Sequence, residues 1–236
     1  MLQSVYDSKN IHEIGLDEAG RGPLFGRLYV AAVILPKIQC DITKSLKWTD
    51  IKDSKKIKSK KKMEQCAEFI KKNALAYSIQ YIEHDRIDEI NIRQAVFEGM
   101  HNCIKEIIDK LQNLSESENI VKDIFLLVDG NDFKPFRTYV NSTDEIVTLP
   151  YTTIEGGDNK YLAIAAASIL AKHTRDTYIS ELCQQNPLLD EKYGISKNMG
   201  YGTKIHLEGI VKYGITQWHR KTYGLCKNYS LTDNSM

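Results

Sequence analysis

"IGLDEAGRGPLFGRLYVAAVILP", residues 14–36, decides the fold. A short apolar run ends at Asp17, a glycine-rich turn follows, and a second apolar run is stopped by Pro36. Two such runs around Gly-Arg-Gly-Pro read as a hairpin whose second strand is buried. The turn also poses a chemical question. Its backbone N–H groups suit an anion such as phosphate, and Arg21 adds a charged fork that matches phosphate oxygens. Yet Asp17 and Glu18 stand directly before it and repel the same anion. A divalent cation between them turns the repulsion into a bridge, because hard cations take carboxylate and phosphate oxygens together. The alternative is a solvated loop whose glycines only satisfy turn geometry.

Working outward, residues 58–73 predict a helix with a basic outer face, and "ALAYSIQYIE" (74–83) a third strand. Residues 85–111 repeat Ile87, Ile90, Val96, Met100, Ile104 and Ile108 at helical spacing. "DIFLLVDG" (123–130) is a buried strand that ends at an acid and a glycine. Residues 133–158 look irregular, with one or two short strands. Residues 159–186 form a long helix with an Ala-Ala-Ala-Ser patch, and "TKIHLEGIVKYG" a shorter helix ended by Gly214. The polar tail "KNYSLTDNSM" reads as loose. The expected class is α/β: a mixed sheet flanked by helices, with residues 1–190 as the main domain and 191–236 as a small helical cap.

Composition narrows the class. The chain has 236 residues, a formal net charge of +1 and an ordinary share of hydrophobic residues. Charge is uneven: "IKDSKKIKSKKK" (51–62) is lysine-rich, whereas 84–90 and 116–123 are acid-rich. The basic block suits a face that meets a polyanion, or a solvated helix start. Five scattered cysteines without a CxxC, and no metal spacing among six histidines, predict a reduced protein without structural zinc. The polar start carries no signal peptide, and no apolar run is long enough to span a bilayer. A cytoplasmic location without membrane association is therefore expected.

Three acids stand at element ends. Asp17 closes the first strand, Asp129 closes "FLLVDG", and Asp158 precedes the long helix in "EGGDNKYLAIAAAS". Each has a plain reading: Asp129-Gly130 as a turn pair, Asp158 as a helix N-cap, the neighbouring Glu18 as a surface residue. Jointly they suit one sheet edge, where four carboxylates repel unless cations neutralise them. Two divalent ions there would clamp the attacking water and the leaving oxygen of a phosphodiester. The chain has no GxSxG and no GxxxxGK[ST].

These motifs are joined by "DSKK" (53–56), "IDEINIRQA" (87–95), "VDGN" (128–131), "GGD" (156–158), "IAAASILAKHTRD" (164–176), "GYGTKIH" (200–206) and "HRKTY" (219–223). In this set and order the chain resembles the ribonuclease HII family, from about residue 12 to residue 223. The resemblance implies an RNase H-like fold with a mixed five-stranded sheet and a helical C-terminal part. It implies cleavage of RNA in RNA–DNA hybrids, and incision 5′ of single ribonucleotides in duplex DNA that leaves 3′-OH and 5′-phosphate ends. Asp17, Glu18, Asp129 and Asp158 match the family's metal-binding acids, for two Mg²⁺ or Mn²⁺ ions. Gly20, Arg21 and Gly22 match the loop whose backbone reads the ribose 2′-OH, the group that separates RNA from DNA. Tyr201 matches the tyrosine that packs on the neighbouring deoxyribose at an RNA–DNA junction. Lys55, Lys56, Ser168, Lys172 and Arg175 match positions near the substrate backbone, although Ser168 also suits simple helix packing. His219-Arg220 match a motif whose role does not follow from the sequence.

Asn159, Tyr161 and Leu162 depart from the smaller residues of many bacterial members, and the 130–157 connection is longer. The tail shows no clamp-binding motif, and a lone chain is expected. Three other readings remain open: a ribonuclease HIII-like nuclease without junction preference, a non-catalytic nucleic-acid-binding module, and a small-molecule phosphohydrolase using the same acids. The first usually carries an extra N-terminal domain and lacks the junction tyrosine.

Overall fold

The computed structural model describes residues 2–36, 48–52, 54–57, 59–114, 120–140 and 143–231. Cys40, Asp53, Lys58, Glu116, Glu118 and the end of the tail (232–236), on which expectations were placed, lie outside the described residues. β1 (His12–Ala19) and β2 (Leu28–Ile34) pair antiparallel, with Ile14 opposite Ile34 and Glu18 opposite Val30. β2 is apolar without alternation because both its faces are covered. Leu28, Val30, Ala32 and Ile34 enter one core, and Ala31 and Val33 enter another.

α1 (Lys60–Asn73) starts at Ser59, whose hydroxyl accepts the Lys62 N–H, and packs Met63, Cys66, Ala67 and Ile70 inward. β3 (Ala76–Ile82) adds antiparallel to β2. α2 (His84–Leu114) covers the face opposite α1. It is not the single helix that the periodicity predicts. Asn91 breaks it at φ 65°, and its Oδ1 accepts the Gln94 N–H at 3.1 Å. The side chain thus caps a second helix within the same apolar pattern.

β4 (Ile124–Asp129) lies parallel to β1, with Leu16 opposite Val128. The segment expected to be irregular holds three strands. β5 (Arg137–Val140) and β6 (Glu145–Thr148) form a separate hairpin. β7 (Tyr151–Ile154) returns to the main sheet, parallel to β4, and completes the order β3-β2-β1-β4-β7. The expected mixed five-stranded sheet flanked by helices is therefore present.

α3 (Leu162–Gln185) joins α1 on the second face. It crosses β1 so closely that a Cβ on Gly15 would lie 2.3 Å from the Ala163 carbonyl carbon. Only glycine under a run of alanines permits this approach. Three further helices follow: α4 (Leu188–Tyr193), α5 (Ile195–Asn198) and α6 (Lys204–Tyr213). The first two were not expected, and the expected boundary at residue 190 falls inside α4. These helices build a third core with the end of α3, and Leu24 and Phe25 of the β1–β2 connection belong to it. Among the described residues no helix is long and apolar enough to cross a membrane.

His206 and His219 are fully buried in this third region, with their Nε2 atoms 3.0 Å apart. Their neighbours dictate one tautomer each. The Thr216 N–H donates to His219 Nδ1 at 2.9 Å, so His219 carries its proton on Nε2 and donates to His206 Nε2. His206 therefore carries its proton on Nδ1 and donates to the Tyr201 carbonyl at 3.0 Å. A further proton on either ring would meet another donor. Burial pushes both imidazoles down, and the His206 ring adds to the effect on His219, which falls to about 3.

The unfolded chain binds protons on these rings below about pH 6.5, and the folded chain does not, so stability should fall as pH drops from there towards 3. One such site costs about 2 kcal/mol at pH 5 relative to pH 7. Urea unfolding at both pH values should show His219→Gln flattening the slope by about one proton. An unchanged slope would mean that the folded ring takes up the proton.

Candidate active site

Three parallel neighbours, β1, β4 and β7, end on one edge of the sheet. Leu16 opposite Val128 sets Asp17 beside Asp129 across the next rung. Asp129 lies opposite Ile154, so the residues after β7 fall just beyond it. The Gly157 N–H donates to Asp129 Oδ1 at 2.7 Å and draws the following turn against the strand end. Asp158 sits buried in the short 3-10 turn Gly157–Asn159. It is not the N-cap of the long helix, which begins later, at Leu162, after Tyr161. Instead the Asn159 amide donates to Asp158 Oδ1 at 2.9 Å, and the Lys56 ammonium donates to Asn159 Oδ1.

A cavity of about 370 Å³ opens at this edge. Asp17, Glu18 and Asp129 form one wall, and Gly20, Arg21 and Gly22 the rim. Lys55, Ser168, Lys172, Arg175 and Tyr201 complete it. Of the thirteen residues singled out in the sequence, only Asp158 and Lys56 do not line it. They sit together behind the strand ends, linked through Asn159.

The acids are electrostatically strained. Burial holds the Asp17 carboxyl well above its ordinary range, and the charges of Glu18 and Asp129 push it the same way. A hydrogen bond with Ser168 and one from the Glu18 N–H, at 2.7 Å, oppose that shift. Burial also raises Glu18, against the Arg21 guanidinium, which contacts its Oε1 at 3.2 Å, while Asp129 raises it further and Lys55 lowers it. Ser168 is more than a small packing residue, since its hydroxyl lies 2.9 Å from that of Ser54 as well. The pair ties the Ser-Lys-Lys turn to α3 beneath Asp17.

The cationic wall is graded. Lys172 reaches Asp176 at 2.8 Å and is part-exposed. Arg175 is 2% exposed, donates from Nη2 to the Met199 carbonyl at 2.7 Å, and lies under Gly20. A Cβ on Gly20 would sit 2.5 Å from its Nε. Arg175 thus floors the loop, a placement that the sequence reading near the substrate backbone did not distinguish. Tyr201 is half-exposed, its ring edge beside Gly22 and 5.9 Å from the Arg175 guanidinium.

Sequence reasoning missed Ser54, Asn198 and Met199 in this cavity, and a recess of about 90 Å³ behind it. That recess joins Glu18 and Asp129 to Arg93 and Asp132, which form an ion pair. Residue type alone does not single these positions out. Ser54 and Arg93 lie within the sequence motifs and Asn198, Met199 and Asp132 directly beside them, and only folding brings them to the cavity.

The donor set suits a hard divalent cation. It is all carboxylate oxygen, and the charge on Asp17 is incompletely neutralised by the protein. Among the described residues, no three His, Cys, Asp or Glu side chains stand close enough to hold an ion by themselves. That fits ions of the Mg²⁺ type, which bind through one or two carboxylates and take the rest of their shell from water and substrate phosphate.

Known proteins resemble the chain over most of its length. The family model described as Ribonuclease HII matches residues 14–226. A ribonuclease HII of Parabacteroides distasonis is 40% identical over 213 residues, 90% of each chain. One from Bacteroides thetaiotaomicron is 38% identical over 229 residues, covering 97% and 98%. Among solved structures, ribonuclease H2 from Pyrococcus horikoshii OT3 superposes with a TM-score of 0.64 at 22% identity, over 92% and 96% of the two chains. Bst-RNase HIII in complex with Mn²⁺ gives 0.56 at 16% identity, over 86% and 70%. At such identities the structural likeness concerns the fold, which is RNase H-like.

Neutralising Asp17 should relieve the buried repulsion. With EDTA present at pH 8, Asp17→Asn should melt a few degrees above the parent, for about 1 kcal/mol gained. A lower melting temperature would show that the carboxylate is stabilised where it stands.

Proposed function

The chain belongs to the ribonuclease HII family and is a ribonuclease H, and on that footing we propose that it cuts at ribonucleotides by metal-assisted phosphodiester hydrolysis. The substrates would be the RNA strand of RNA–DNA hybrids and single ribonucleotides embedded in duplex DNA. Incision 5′ of the ribonucleotide would leave 3′-OH and 5′-phosphate ends. One observation carries the reading: a single cavity holds strained carboxylates, a glycine-rich loop, basic side chains and an exposed tyrosine.

Each group has a distinct task. Asp17, Glu18 and Asp129, with Asp158 behind them, would hold two divalent ions, Mg²⁺ or Mn²⁺. When bound, these supply an activated water and charge neutralisation at the leaving oxygen. Asp17 and Asp129 are central because their strands are adjacent and in register. The Gly20–Gly22 backbone would meet the ribose 2′-OH, which both donates and accepts hydrogen bonds. Lys55 and Lys172 would take flanking phosphates, giving affinity that falls with salt. Lys56 would act through Asn159 on the Asp158 turn. Arg175 would support Gly20 and the Tyr201 ring. The half-exposed Tyr201 ring, beside Gly22, would stack on the deoxyribose next to the ribonucleotide and report the junction.

A duplex with one embedded ribonucleotide, assayed with Mg²⁺ and with EDTA, tests this. We expect a metal-dependent cut 5′ of the ribonucleotide. Asp129→Asn should bind the duplex nearly as well and lose at least 100-fold in turnover. Tyr201→Ala should slow the junction substrate about 10-fold or more, with a smaller effect on a long hybrid. Cleavage of long hybrids alone would favour the HIII-like reading, and tight binding without any cut a binding module.

A further inference from the structure

The His219–Tyr223 segment lies outside the cavity lining, yet it is wired to the cavity's rim. Arg220 is fully buried, and its three guanidinium nitrogens go to three backbone carbonyls of the β1–β2 connection. Nε donates to Gly26 at 3.0 Å, Nη1 to Arg21 at 3.0 Å and Nη2 to Gly20 at 2.7 Å. Its own N–H donates to the Leu24 carbonyl at 2.8 Å. The Tyr223 hydroxyl adds a donor to the Arg21 carbonyl at 3.2 Å, and the Tyr223 ring lies 5.0 Å from the guanidinium. Five donors in a rigid fork can span such a set, whereas an ammonium cannot.

A trans peptide is planar, so a carbonyl and the next residue's N–H point in opposite directions. The peptide bonds here are trans. Drawing the Gly20 and Arg21 carbonyls towards Arg220 turns the N–H groups of Arg21 and Gly22 away from it. Arg21 and Gly22 are two of the three residues that form the rim of the cavity.

The segment is itself anchored at both ends. The Asp88 carboxylate accepts the N–H groups of Lys221 at 2.7 Å and Thr222 at 2.9 Å. On the other side His219 is tied through His206 to the Tyr201 carbonyl.

We propose that Arg220 is a positioning residue for ribose recognition: it aims the Arg21 and Gly22 amides at the 2′-OH, with Asp88 holding it in place. The inference rests on the reading of Gly20–Gly22 as the ribose-contacting loop. Arg220 touches no substrate. It acts by fixing a glycine-rich loop in the reactive geometry, so that its conformational freedom need not be lost on the way to the transition state.

Cleavage of two duplexes tests this, one with a single 2′-hydroxyl nucleotide and one with a 2′-fluoro nucleotide in its place. The ratio of their rates is independent of the fraction of enzyme that is folded. The parent should favour the hydroxyl strongly. Arg220→Lys should lower kcat on the hydroxyl duplex at least 10-fold, leave KM within about 3-fold, and shrink the hydroxyl-to-fluoro ratio. Asp88→Asn, a change at a half-buried side chain that leaves the guanidinium in place, should shrink the ratio less and serves if Arg220→Lys does not fold. An undiminished ratio in the folded variants would overturn the proposal and leave the loop assignment standing. No hydroxyl preference in the parent would overturn the loop assignment, and this proposal with it.

Discussion

The parallel pairing of β1 with β4 is the constraint on which the site depends. With Leu16 opposite Val128, the two strands end together and set Asp17 beside Asp129. A slip of one residue would turn every side chain on one strand to the opposite face, and the two carboxylates would separate. The register is held from both sides. Ile14, Leu16, Leu126 and Val128 bury themselves against α2, while Gly15 admits α3 to backbone contact on the other face. The repulsion between the acids is therefore sustained by the packing of the whole sheet. Local function costs stability, and the core offsets it.

The second organising feature is the division between rigid acids and a supported loop. The acids sit at strand ends. The glycine loop has no secondary structure of its own and takes its shape from two buried guanidinium groups, Arg175 beneath Gly20 and Arg220 on its carbonyls. Burial lowers both arginines, Arg220 to about 10; Arg220 places all three of its guanidinium nitrogens on backbone carbonyls, whereas Arg175 has one such bond, to Met199, and lies 3.9 Å from the Asp176 carboxylate. Such charges are costly to bury unless hydrogen-bonded. Their persistence under a short loop shows how much of the third core serves that loop. Phe25 enters that core and meets the His219 ring edge-on, so loop and cap share one set of contacts.

Much of this was legible in the chain. The continuous apolar run of β2, the helical spacing of α2 and the alanine patch of α3 are periodic signals carried by many residues. Their elements appeared within a few positions of the expectation. Besides the unexpected α4 and α5, three differences from the local readings stand out. Asn91 interrupts a helix whose apolar spacing continues across it, so periodicity could not see the break. β7 is Tyr-Thr-Thr-Ile, β-favouring in composition, but at four residues it is too short for alternation to show, and pairing with β4 fixes it as a strand. Asp158 looked like a helix cap because it precedes an alanine-rich helix, but the intervening 3-10 turn moves the helix start to Leu162.

By itself the sequence marked the candidate site residues: the acids at strand ends, the glycine loop, the lysines and the tyrosine are each written in short motifs. It also determined the layers, since burial patterns follow from hydrophobic spacing alone. Only the tertiary structure decided what the His-Arg pair near the C-terminus does, and that Arg175 lies under the loop while Lys172 stays part-exposed. The physical reason is range. Side-chain type and periodicity are local properties, whereas a guanidinium holding carbonyls about 200 positions away in the chain is a relation that exists only once both segments are packed.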